Sequence, residues 1–104
     1  MPDVYRLIVS PEVLSDMEAI HAFIAQDSPV NAAKMVERIL AGMETLKTVP
    51  HRAVVEYTSR KLKHPVRSLP VRPYIVFFRV LDEERVVRIL TVRHGARRRP
   101  VRFD

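Results

Sequence analysis

Apolar residues recur along this chain in different rhythms, and each rhythm predicts a different element. Residues 4–9 are apolar or β-prone except for Arg6, which predicts a short strand. From Val13 the period lengthens. Val13, Met17, Ile20 and Ile24 recur at helical spacing, with Leu14 and Phe23 widening the apolar stripe. Ser10, Pro11 and Glu12 supply the start of that helix: a capping hydroxyl, a proline at the first helical position and an acid in the first turn. Asp27, Ser28 and Pro29 end it and repeat the start signal. A second stripe follows, with Ala32, Val36, Ile39, Leu40, Met43 and Leu46, and Pro50 closes it. With only about four residues between them, the two helices must fold back as an antiparallel hairpin.

Beyond Pro50 the period shortens. Residues 51–65 are polar and irregular, with a basic cluster at Arg60, Lys61 and Lys63, and predict a loop with room for one weak strand. Val66 to Leu69 reads as a short strand stopped by Pro70 and Pro73. Tyr74 to Leu81 is apolar on both alternating faces, as a central strand is. Asp82 to Glu84 forms a polar turn, and Arg85 to Val92 returns as the antiparallel partner. Strand, helix, helix and then three strands predict an α+β fold, one domain over residues 1–104. The helical hairpin should pack on one face of a mainly antiparallel sheet of about four strands. The other face is then expected to carry Arg67, Tyr74, Phe78 and the arginines of the last strand.

Composition narrows the function classes. At 47% apolar over 104 residues the chain can bury a core. It has no cysteine, which removes disulfides and thiolate metal sites, and its four histidines are scattered without metal-ligand spacing, so neither metal nor cofactor is expected. No apolar run approaches the roughly 20 residues of a membrane span, and the N-terminus lacks signal-peptide character, so a cytoplasmic protein with no membrane partner is expected. Charge is lopsided. Residues 1–50 hold four basic against seven acidic side chains, a balance of −3, and residues 51–104 hold fourteen against five, a balance of +9, giving the net +6. Such a one-ended field attracts acidic proteins and polyanions. Arg93, Arg97, Arg98, Arg99 and Arg102 fall within ten positions with no acid among them.

Catalytic motifs are scarce. Gly42 and Gly95 are the only glycines, so no glycine-rich phosphate loop exists, and no nucleophile elbow is present. A metal-free ribonuclease would need a proton-transfer group and cations for the phosphorane. His94 with Arg67, Arg93 and Arg97 supplies candidates. The competing reading makes His94 a strand-end residue that caps backbone or lies in an interface, and the arginine run a solvated or partner-facing edge.

Over nearly its full length the chain resembles the RelE/ParE superfamily of toxin–antitoxin toxins. The resemblance runs through Tyr5 to Pro11, Asp16 and Ile20, Asp27 to Pro29, Leu46 to Pro50, Val66 to Leu69, Tyr74 to Val80 and Arg88 to Arg97. The "VRHGAR" ending at Arg97 is most similar to the ParE branch. In the RelE pattern two lysines alternate where Val66 and Ser68 stand here, an arginine where Ile75 stands, and a terminal tyrosine where only Phe103 is available. The resemblance therefore implies a ParE-like toxin, without a catalytic site of its own, that inhibits DNA gyrase. It also implies plasmid-stabilisation-type pairing with a ParD-like antitoxin, with operator DNA reached only through that antitoxin. Arg67, Tyr74, Arg79, Arg93, His94, Arg97, Arg98 and Arg99 become the expected target or antitoxin contacts. The alternatives are a RelE-like ribosome-dependent mRNA endonuclease, using His94, Arg67 and Arg97, and a non-toxic binding module that regulates its own operon with its antitoxin.

Overall fold

The structure, a computed structural model, describes residues 4–57 and 64–97. Strand β1 (Arg6–Val9) leads into helices α1 (Pro11–Ala25) and α2 (Pro29–Thr45). Strands β2 (Val54–Tyr57), β3 (Val66–Val71), β4 (Tyr74–Leu81) and β5 (Val86–His94) follow. They form one sheet in the order β1-β5-β4-β3-β2, antiparallel except where β1 runs parallel to β5. The sheet thus has five strands where about four are expected. The fifth is β2, the weak strand in the 51–65 stretch, whose register against β3 is broken between Val55 and Tyr57.

Both helices start at a proline, but their caps differ. Ser28 accepts the Asn31 N–H at 3.1 Å, the expected N-cap. Ser10 makes no cap. Its hydroxyl donates to the Leu90 carbonyl at 2.8 Å and its N–H donates to the Ile89 carbonyl at 3.1 Å, so it fastens the end of β1 to β5 instead. β3 runs through Pro70 to Val71, two residues further than expected. β2 pairs no further than Ser68, so Pro70 lies on a stretch with a free outer edge, where a missing N–H is tolerated.

The helices cover one sheet face. Val13 and Ile20 of α1 and Ala32, Met35, Ile39 and Met43 of α2 are buried, and Leu46 follows just past the helix end. They meet Tyr74, Val76, Phe78 and Val80 of β4 and Val87, Ile89 and Val92 of β5. Tyr74 and Phe78, expected on the opposite face, therefore lie in the core at 6% and 0% exposure. Both faces of β4 are apolar, so alternation alone does not tell which set the helices cover. Arg67 pairs with Phe78 and shares that helix-side face. The stripes are also narrower than expected. Leu14 is 63% exposed and Phe23 68% exposed, while Met35 is buried without having been part of the stripe. At Gly42, α2 approaches β3 so closely that a β-carbon would stand 2.9 Å from Val71 Cγ2. In β5, Leu90 is skipped in the pairing with β4, a bulge between Phe77↔Thr91 and Phe78↔Ile89.

Candidate functional site at the end of the sheet

Where β4 begins and β5 ends, α1 stands away from the sheet and leaves a cleft of about 610 Å³. Its walls are Ala19, Ile20 and Phe23 of α1 together with Tyr74, Val92 and Ala96, with Asp16, Arg93 and His94 as the polar members. The geometry follows from the end of β1. Pairing between β1 and β5 stops at Val9↔Ile89, so beyond Ile89 one side of β5 has no strand neighbour. Asp16 occupies that side. Its Oδ2 accepts the Thr91 hydroxyl at 2.7 Å and the Val92 N–H at 2.9 Å. A helix carboxylate thus stands in for a strand and fixes α1 against the bulge of β5.

The rim is built by a tight reversal. Tyr74 and His94 are register partners whose rings meet edge to face, centroids 5.4 Å apart at 80°. The Gly95 N–H donates to the Pro73 carbonyl at 2.7 Å, and a β-carbon on Gly95 would lie 3.2 Å from that oxygen. The Ala96 N–H donates to His94 Nδ1 at 3.0 Å. That bond uses Nδ1 as its acceptor and ties the imidazole to the turn after β5. The exposed Phe23 ring on one wall and the cationic Arg93 and exposed His94 on the other give the cleft an apolar floor with a basic rim. Such a surface suits an amphipathic segment with acidic flanks.

The expected contact residues divide among several places. Tyr74, Arg93 and His94 meet in the cleft. Arg97 belongs to the short turn that follows β5, and Arg98 and Arg99 lie outside the described residues. Arg67 is elsewhere: its Nη1 donates to the Ala53 carbonyl at 2.9 Å and the His51 carbonyl at 3.4 Å, holding the turn before β2 against β3. It pairs with Phe78 while His94 pairs with Tyr74, four residues along β4, about 13 Å away. Arg67 and His94 are therefore not brought to one site. Arg79 lies on the sheet face turned away from the helices, directly opposite Arg88. Among the described residues no group of three or more His, Cys, Asp or Glu is placed to hold a metal ion, and no helix is long and apolar enough to cross a membrane. Sequence reasoning missed Asp16 and Phe23 as site residues. The available signal was their position on α1, with Ala19, on one flank of the stripe and not at its centre.

A second polar cluster occupies the far end of the sheet. The Tyr5 hydroxyl donates to Asp82 Oδ1 at 2.7 Å, His51 Nε2 lies 3.0 Å from the same oxygen, and the Arg85 guanidinium lies 5.6 Å from the centre of the Tyr5 ring. The hydrogen bond from Tyr5 holds the Asp82 carboxyl below its ordinary range, aided by His51 and Arg85. The same bond, with burial and the carboxylate charge, pushes the Tyr5 phenol up. The cluster ties the turn after β4 to the entry of β1.

This fold, two helices on a five-stranded sheet with β1 parallel to β5, is that of the small toxins of type II toxin–antitoxin systems. The pattern of one family in that class, the ParE toxin of the type II system parDE, matches residues 7–99, and the chain belongs to that family. Toxin RelE2 of Caulobacter vibrioides is 33% identical over 85 residues, 81% of this chain and 88% of that protein. Three solved structures share the fold. The chromosomal ParDE system of P. aeruginosa has TM-score 0.68 at 23% identity, covering 88% of this chain and 97% of that one. The archaeal RelE–RelB complex of Pyrococcus horikoshii has TM-score 0.66 at 14% identity, covering 90% and 98%. The RelBE2 toxin–antitoxin complex of Mycobacterium tuberculosis has TM-score 0.59 at 24% identity, covering 88% and 98%.

Proposed function

We propose that this ParE-family chain inhibits DNA gyrase and is held silent by a ParD-like antitoxin whose amphipathic segment seats in the cleft between α1 and the end of β5. The cleft carries the second half of this reading, because an apolar floor rimmed by Arg93 and His94 complements an apolar helix face flanked by acids. Family membership supports the gyrase target, as does the dispersal of nuclease-type groups. Val66 and Ser68 are buried and offer no cation, and Arg67 is committed to backbone carbonyls away from His94. The direct test is supercoiling by purified gyrase with increasing toxin. Supercoiling is expected to fall and cleaved DNA to accumulate, and unchanged supercoiling at saturating toxin would refute the target.

The likeness to Toxin RelE2 favours one other reading, a ribosome-dependent mRNA endonuclease with His94 in proton transfer. It requires transcript cleavage on translating ribosomes that is lost in His94→Ala. Growth arrest on expression without the antitoxin separates both readings from a non-toxic regulatory module.

A further inference from the structure

We propose that the cleft between α1 and the end of β5 is a binding site for a small amphiphilic carboxylate, an acyl or arylalkyl body ending in one carboxylate group, which competes with the antitoxin segment. The competition rests on the antitoxin reading above, and the binding itself does not. Tyr74 carries the inference. It lines the cleft at 6% exposure, its ring packs on His94, and its hydroxyl makes no hydrogen bond among the described residues. A buried phenol ordinarily finds a partner, because a hydroxyl taken out of water without one is destabilising. Arg93 repeats the pattern: it lines the same cleft, and its Nε–H is buried without an acceptor. His94 adds a third group, since the Ala96 N–H takes its Nδ1 at 3.0 Å and leaves Nε2 for a ligand.

These three groups select the ligand. A phenol hydroxyl and a guanidinium both donate, and the cation favours a negative acceptor with two oxygens for its fork. Asp16 is the one acid among the lining residues, and its Oδ2 is committed to Thr91 and Val92. His94 stands two residues beyond Val92, about 7 Å further along β5, so an anion held there is clear of that oxygen. Ala19, Ile20, Phe23 and Ala96 make the remaining walls apolar, which calls for a hydrocarbon or aromatic body. A sugar or a nucleotide would bring polar groups that such walls leave unpaired. The volume of about 610 Å³ lies within the roughly 300–1,000 Å³ of small-molecule pockets.

The test titrates the isotope-labelled full-length toxin with three probes of one chain length, octanoate, octanol and octylammonium, and follows the backbone amide signals. Octanoate should shift the amides of residues 19–23 and 92–96 and saturate with a Kd below about 1 mM. Octanol should bind at least about tenfold more weakly, and octylammonium more weakly still. Tyr74→Phe keeps the ring and removes only the hydroxyl, and it should weaken octanoate at least about fivefold while leaving octanol near wild type. Arg93→Gln should weaken octanoate about tenfold. The control Lys34→Gln removes one charge from an exposed position of α2 outside the cleft and should change nothing. Melting temperatures verify that each variant is folded. Octanol matching octanoate, losses in Tyr74→Phe and Arg93→Gln no greater than in Lys34→Gln, or shifts centred away from the cleft would each overturn the proposal. Octanoate that binds in the cleft without displacing purified antitoxin would leave this site standing and remove the antitoxin from it.

Discussion

Asp16 ties α1 to β5 through a single oxygen, which serves both the Thr91 hydroxyl and the Val92 N–H. Asp16→Ala would leave a buried hydroxyl and a strand N–H without their acceptor. A loss of about 2–3 kcal/mol is expected, read as a fall of roughly 10 °C or more in melting temperature. Asp16→Asn keeps one acceptor oxygen and should lose clearly less. Asp82 gives a pH-dependent counterpart. Its folded-state pKa is depressed below the ordinary 3.8, chiefly by the Tyr5 hydrogen bond, so its stabilising effect is complete above that value and is lost as pH falls through the depressed one. Its side chain is more than half exposed, which keeps the effect small. The gap in melting temperature between wild type and Asp82→Asn should therefore close as pH drops from 5 toward 3, and a gap independent of pH in that window would contradict the assignment. Neither role was legible in sequence. Asp16 reads as one more polar residue on an amphipathic helix, and its acceptor duty exists only because β1 stops short and exposes the edge of β5.

At the scale of elements, α1 is a helix with two jobs. Val13 and Ile20 bind it to the sheet, while Phe23, 68% exposed, looks along the cleft wall. Helical spacing places Phe23 on the margin of the stripe, and spacing alone cannot say whether a margin is covered. Here the cleft beside the end of β5 leaves it open. Phe23→Glu should cost little stability because the ring is largely solvated. It should weaken antitoxin binding at least about thirtyfold, measured by calorimetry with the purified antitoxin, since a desolvated aromatic anchor would be replaced by a charge. Unchanged affinity would remove the cleft from the antitoxin interface. Gly42 makes the converse point about α2. Gly42→Leu drives a side chain into Val71 and should destabilise by about 1–3 kcal/mol in denaturant unfolding, without touching the cleft. The helices, their hairpin and the β4–β5 pair were legible because each is long and strongly patterned. The weak β2 and the choice of face for Tyr74 and Phe78 were not, because both depend on which neighbour packs against a strand that is apolar on each side.

For the molecule as a whole, β1 is the least local element. It pairs with β5 alone among the strands, and the Ser10 hydroxyl that secures its end finds its acceptor 80 positions away, on Leu90. Contacts of that separation close the largest loops and form late. During synthesis β1 has no strand partner until β5 has been made, because Arg6 pairs with Val86. The cleft needs both α1 and the end of β5, so it does not exist before β5 has been made. A partner that recognises the cleft therefore distinguishes a toxin that has its β5 from one that stops short of it.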